Sequence, residues 1–393
     1  MNLERSTKQR APFDAGRLDA LLRARDVAAL LATSPHNVRY LLGGYRFFLY
    51  DRLDPIGPSR YLPVVGYVPE RLGDAFYVGA GNEAWGTDAQ PLWVPSVEHR
   101  SWGTTDAALA AAEALRARGL ERATIGVEPA YVPADAMAVL TRELPSASFV
   151  DVGPDLDELR AVKSAAELEI LRGASRAVVE AMLATFAAVD VGMSTREVAE
   201  RLRQEETLRG LTFAYCLVAT GRSHARAPSD RRIEPGGVLS LDSGADRLGY
   251  TADLTRMGIA GEPSARHREL LAEVDAVQQA ARAAVIAGRR GGDLFDAVGE
   301  VIGELPDGPR MSFLAHGTGL LTHEAPRLTD TGSPPYPATH RDRDLVAGMV
   351  LSIETHVADP ALGFVKLEDT LIVTEDGGEP VGDAGRGWNP LGR

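Results

Sequence analysis

The chain has 393 residues, 45% hydrophobic and 25% charged, a composition typical of ordinary folded proteins and a length that favours two or three domains. Its net charge of -13 argues against the basic footprint that nucleic-acid binding needs, and its single cysteine, Cys216, excludes an internal disulfide framework. No apolar run is long enough to span a bilayer and Met1-Asn2-Leu3-Glu4-Arg5 carries no apolar signal segment, so the expectation is a cytoplasmic protein without membrane or nucleic-acid partners.

Residues 1–12 are polar and uncapped and are expected to form a flexible arm. Aliphatic spacing then predicts a helix over 14–25 and a strand over 27–33, followed by Asn37 to Tyr45 and the aromatic stretch Tyr45-Arg46-Phe47-Phe48-Leu49-Tyr50. Strand-like pieces recur at 60–67, 75–78 and 91–94. A helix is predicted over 105–118, a strand over 123–127 and a helix over 134–142. Strands alternating with helices indicate an amino-terminal α/β domain over 13–155. Within it, Trp85, Trp93 and Trp102 have two readings, core and loop packing or a wall that covers a substrate.

The acidic Gly-Pro stretch Asp151 to Asp157 reads as a connector to a second domain over 156–393. Ser164 with Glu167, and Ser194 with Glu197, are capping-box patterns that open two helices. Further helices are predicted over 265–286 and from Asp293 onward.

The second domain repeats itself. Val238-Leu239-Ser240-Leu241-Asp242 is echoed by Val350-Leu351-Ser352-Ile353-Glu354, and each is followed by a Gly-aromatic step and a second acid: Gly249-Tyr250 and Asp253, then Gly363-Phe364 and Glu368. Leu211-Thr212-Phe213-Ala214 is likewise matched by Met311-Ser312-Phe313-Leu314. Self-similarity of this kind marks a duplicated unit. An acid ending an apolar strand must be paired, protonated or metal-bound, so the two halves are expected to face each other across one pocket.

Asp242, Asp253, His316, Glu354 and Glu368 are the candidate metal ligands. Four carboxylates and one imidazole suit hard or borderline divalent ions and disfavour a thiolate-type site. Four acids are more easily neutralised by two ions than by one. Singly, each acid reads as a surface carboxylate or salt-bridge partner and His316 as a hydrogen-bonded core histidine; the duplication and the order of the five reverse that reading.

With His316-Gly317-Thr318-Gly319-Leu320-Leu321-Thr322-His323-Glu324-Ala325-Pro326, Ile353-Glu354 and Lys366-Leu367-Glu368-Asp369-Thr370 in that order, the chain resembles the pita-bread metallopeptidase family of aminopeptidase P, prolidase and creatinase. The resemblance spans about 160–374, including Arg160-Ala161-Val162-Lys163-Ser164, and is looser before it, through Asn37, Tyr40-Leu41 and Gly43. It implies a creatinase-like α/β amino-terminal domain and an α+β pita-bread domain with an internal pseudo-two-fold. It also implies that Asp242 holds one metal ion, His316 and Glu354 the other, and Asp253 and Glu368 bridge both. The ions would be manganese first, with cobalt, zinc or iron as alternatives. Glu368 would also shuttle protons, and His323 would steady the developing oxyanion. The homodimer common among two-domain members of the family would place the Phe47 and Trp85 regions as substrate walls.

The implied activity is hydrolysis of an amide bond by a hydroxide made on two metal ions, in an Xaa-Pro dipeptidase or aminopeptidase acting on a small peptide. Three departures bear on the substrate. Ala225 stands where prolyl-cleaving relatives have a histidine, with His224 beside it. Lys366 replaces an arginine and loses its planar fork. Thr355-His356 replaces Pro-Gly, and His356 is read either as the missing imidazole or as a solvent-facing residue. The alternatives are a small-molecule C–N hydrolase of the creatinase or ectoine hydrolase type, a metal-dependent lyase of the dimethylsulfoniopropionate-cleaving type, and a non-catalytic binding module, which the full ligand set disfavours.

Overall fold

The computed structural model describes residues 10–50 and 59–392, which form two compact units that divide between Leu159 and Arg160. Of the expected arm, residues 1–9 lie outside the described residues, while Ala11 is buried. No helix among the described residues is long and apolar enough to cross a membrane.

The first unit is built on a mixed six-stranded sheet. Its strands are β1 (Ala29–Ala32), β2 (Val64–Tyr67), β3 (Phe76–Ala80), β4 (Ser96–Ser101), β5 (Thr124–Val127) and β6 (Ser148–Asp151), in the order β4-β3-β2-β1-β5-β6. The alanine-rich helix Thr104–Arg116 supplies much of the apolar cover over β1, β2, β3 and β5. Two expectations need correction. The apolar stretch 91–94 is not a strand, because Trp93 turns inward, donating to the Leu41 carbonyl and packing edge-on against Phe13. The strand comes later, as polar β4 at the sheet edge, where little apolar surface needs covering. Nor is 151–157 a plain connector. Gly153-Pro154 opens the helix Gly153–Ala161, since proline lacks only an amide hydrogen that the first turn leaves unbonded anyway.

The second unit is a sheet flanked by helices and is nearly symmetric. After β7 (Thr212–Thr220) come β8 (Val238–Arg247), β9 (Tyr250–Ile259), β10 (Met311–Gly317), β11 (Glu324–Arg327), β12 (Val350–Asp359) and β13 (Gly363–Val373). Their order is β11-β10-β12-β13-β9-β8-β7, with β14 (Gly378–Val381) beside β13 and β15 (Asn389–Pro390) beside β9. Helices Ala165–Ala188 and Thr195–Leu208 cover β7 to β9, and helices Ala265–Ala284 and Asp293–Glu304 cover β10, β12 and β13. Both expected capping boxes form, at Ser164 with Glu167 and Ser194 with Glu197.

The halves meet at β9 and β13, where the paired register is the single rung Thr255↔Glu368. Arg256, fully buried, reinforces that seam by donating to the carbonyls of Thr255 and Glu368 at 2.8 Å each, and to those of Gly382 and Ala384 at 2.7 Å. Burying a guanidinium is costly unless its donors are filled, and Asp369 at 3.2 Å supplies the counter-charge.

Candidate metal centre

Register alone puts the predicted ligands on one face. In an antiparallel ladder, opposed residues and those two positions away share a face. Asp242 opposes Thr255, two residues from Asp253; Thr255 opposes Glu368; Glu368 opposes Glu354; and Glu354 opposes Leu314, two residues from His316. The hairpin between Asp242 and Asp253 is held by the two-residue turn Leu248-Gly249, both at positive φ, the geometry whose twist suits flanking strands. The intervening Leu241, Leu254, Ile353 and Leu367 face the helix-covered cores.

All five predicted ligands are buried, and their donor atoms form two overlapping sets, each within 4.8 Å: Asp242–Asp253–Glu368 and His316–Glu354–Glu368. Glu368 belongs to both. A third set, Asp253–His316–His323, places Asp253 beside the imidazoles as well. The carboxylates are oriented by neighbours. Tyr215 donates to Asp253 Oδ1, Thr255 to Glu368 Oε2 at 2.9 Å, and Ser352 to Glu368 Oε1 at 2.8 Å. Gly244 makes room for Tyr215, because a Cβ there would overlap its ring.

The charges do not balance within the protein. Lys366 Nζ lies 2.7 Å from Asp242, 2.5 Å from Glu354 and 2.9 Å from Glu368, one ammonium among four acids. Arg226 reaches Asp242 Oδ2 at 3.0 Å from the edge of the site, its guanidinium over the Phe364 ring. Burial, with repulsion from Glu368 and Asp242, raises the Asp253 pKa well above the carboxylate range. Burial raises Asp242 to about 6 against the pull of Lys366. Glu354, though buried, is held at about 2 by Lys366 and the neighbouring imidazoles.

His316 Nδ1 donates to the Gly317 carbonyl at 3.2 Å, which leaves a lone pair on Nε2, and that buried atom has no hydrogen-bond partner among the described residues. An orphaned imidazole nitrogen 3.8 Å from Glu354, beside acids short of positive charge, fits divalent cations held by Asp242, Asp253, His316, Glu354 and Glu368. The oxygen-rich set also suits manganese-like ions better than thiophilic ones.

His323 stacks on His316 with ring centroids 3.7 Å apart and planes 12° apart, and Tyr336 stacks on its other side at 5.6 Å. Burial and the neighbouring His316 lower its pKa to about 4, so it is neutral near pH 7. Its loop is anchored by Glu324, buried between Arg160 at 3.1 Å and Lys163 at 2.9 Å. His356 lies on the ligand face, opposite Lys366 and 5.1 Å from the Phe364 ring, and burial lowers it to about 4. His224 is exposed.

Sequence reading missed Tyr215, Arg226, Thr255 and Ser352. Thr255 and Ser352 carried a usable signal, since each is two residues from a ligand on its own strand. Tyr215 and Arg226 reach the ligands from other segments and carried none.

Residues 169–375 match the model of metallopeptidase family M24, and residues 15–162 that of the creatinase/prolidase N-terminal domain. The chain is 30% identical over 235 residues to an Xaa-Pro dipeptidase of Pyrococcus furiosus, covering 58% of this chain and 65% of that relative's length. It is 27% identical over 260 residues to an Xaa-Pro dipeptidase of Pyrococcus horikoshii, covering 65% of this chain and 71% of the other. Among solved structures, an Xaa-Pro dipeptidase from Bacillus anthracis superposes with a TM-score of 0.81 at 23% identity, over 96% of this chain and 99% of that one, a likeness of fold.

Proposed function

The chain belongs to metallopeptidase family M24, and we propose that it is a metal-dependent hydrolase of Xaa-Pro dipeptides or of the amino end of Xaa-Pro peptides. The observation that carries this reading is the pair of ligand sets on one sheet face sharing Glu368. When bound, two divalent ions, manganese first, would supply Lewis acidity and water with a pKa of about 7.

The protein's own groups do the rest. Ser352, Thr255 and Lys366 hold both oxygens of Glu368 in place, which suits a ligand that also passes a proton to the leaving amine. His323, neutral and stacked, has an N–H to offer the oxygen of a tetrahedral carbon. Arg226, at Asp242, and His356, beside Phe364, add a cationic and a hydrogen-bonding group next to the acids, suited to a substrate carboxylate.

Metal content after mild purification, with turnover of an Xaa-Pro panel before and after chelation and metal return, tests the reading. Two ions per chain and chelator-sensitive cleavage are expected. A metal-loaded protein that cleaves no Xaa-Pro bond would overturn the substrate claim.

One observation favours a second reading, a small non-peptide C–N substrate: Ala225 supplies no imidazole, and Arg226 stands at the ligand set instead. Solvent-oxygen incorporation into product separates either hydrolysis from a lyase reaction. We also read the protein as a cytoplasmic homodimer; the resemblance and the exposed Phe48, Trp85 and Trp102 of the first unit support the dimer, and sedimentation tests it.

A further inference from the structure

Between β7 and β8 the chain makes a loop, 221–237, whose two ends line one cavity of about 490 Å³. Arg222 lines it from the first end, Arg231, Arg232 and Glu234 from the second, and His267 and the hairpin turn Ala361-Leu362 complete it. The volume is that of a small-molecule site, but the lining is polar where such sites are mostly apolar. None of these residues is a proposed metal ligand.

The charges are one-sided: three guanidiniums face one carboxylate, in a chain whose net charge is -13. The Arg222 and Arg231 side chains have no partner among the described residues. Arg232 donates to the Gly192 carbonyl at 2.6 Å and lies 3.9 Å from Glu197. Asp359, before the hairpin turn, is already taken up by the Ala361 and Leu362 amides at 2.8 and 3.0 Å, and by Arg266 at 3.2 Å and Arg310 at 3.4 Å. His267, only 7% exposed, adds a neutral donor. The Ser264 amide donates to its Nδ1 at 3.1 Å, so the ring proton sits on Nε2, which has no partner among the described residues.

We propose that this cavity binds a small molecule bearing a doubly charged tetrahedral oxyanion, a phosphate monoester by class, and that the ligand ties the two ends of the loop together. Guanidinium forks match the oxygens of such a group bidentately. Three of them against one carboxylate call for a dianion rather than the single charge of a substrate carboxylate. The second half of the loop is already fixed, since Ile233 bonds through its backbone to Gly192 at 2.8 Å and to Met193 at 2.9 Å. The first half carries Arg222 and then Arg226, which reaches Asp242 at 3.0 Å. A ligand shared by Arg222 and Arg231 therefore fixes the segment that presents Arg226 to the acids. The inference stands without the two-ion reading, because the cavity uses none of its ligands.

Full-length protein as purified is titrated with inorganic phosphate by calorimetry at constant ionic strength, with acetate as the singly charged control. Hydrogen exchange is followed with and without phosphate. Phosphate is expected to bind at least about tenfold tighter than acetate, and to weaken about tenfold in Arg222→Gln and in Arg231→Gln, as when one charge-assisted hydrogen bond is lost. Exchange should slow over 221–226. Both arginines are exposed, so neither variant threatens the fold. No phosphate binding, equal binding by the variants and the wild type, acetate binding as tight as phosphate, or exchange left unchanged over 221–226 would each overturn the inference. Slowing confined to β8, β9, β12 and β13 would also overturn it, by placing the phosphate on metal ions held at the acids.

Discussion

His323 lies flat against His316, ring on ring at 3.7 Å, so the proposed metal ligand and the imidazole proposed to face substrate share one stack. The stack orients His323 without a hydrogen bond to His316, and Tyr336 closes its other side.

His323→Ala should lower kcat about 10²–10³-fold, the loss that follows removal of one oxyanion donor, with metal per chain unchanged. Steady-state kinetics paired with metal analysis checks this. A parallel fall in metal content would instead make His323 a support for His316.

Metal binding should stabilise the fold, because it neutralises buried acids that Lys366 alone cannot balance. With manganese at about 100 times Kd, each site adds about 2.7 kcal/mol. Thermal melting with and without chelator measures it; coincident curves would count against a buried metal centre.

Glu206, buried under β8, accepts from Ser243 at 2.9 Å but has no cation beside it among the described residues, and burial raises its pKa to about 8. The folded chain keeps a proton that the unfolded chain releases above about pH 4.5. Stability from this group is full below that pH and is lost as pH rises to about 8 and beyond. Glu206→Gln should remove the loss, gaining at most about 5 kcal/mol at pH 9 and little at pH 4, by the relation of about 1.4 kcal/mol per pKa unit. Urea midpoints of both proteins at the two pH values decide it.

Gly244→Ala should push Tyr215 off Asp253, since the new Cβ overlaps the phenol ring. Metal affinity should fall about 10–100-fold, as when a group that orients a ligand is lost. Tyr215→Phe should weaken binding in the same direction with a smaller cost to folding. Unchanged metal affinity in both would show that the phenol does not orient Asp253.

The clustering of the four acids was legible in the sequence because its pattern is long-range but ordered: two matched strands, each ending in an acid, each followed by Gly-aromatic and another acid. Asp242, Asp253, Glu354 and Glu368 come together because hydrogen-bond register preserves that order in space. Arg226 was not legible, because its place at Asp242 depends on how a loop folds back, and one arginine among many carries no pattern. Position within the ligand face was partly legible for Lys366, two residues before Glu368, but its three carboxylate partners come from the meeting of strands. Edge strand β4 escaped notice for a simpler reason: its polar residues lack the apolar run that marks a buried strand.

The rung joining Thr255 to Glu368 has a consequence for the protein's synthesis. Asp242 and Asp253 are made well before His316, Glu354 and Glu368, so a growing chain on the ribosome has acids but no complete cage. The cage closes only when the later half docks across that rung. Under the proposed two-ion reading, metal acquisition is a late event in the life of each molecule, and a truncated product lacking the second half is left with an incomplete set of acids.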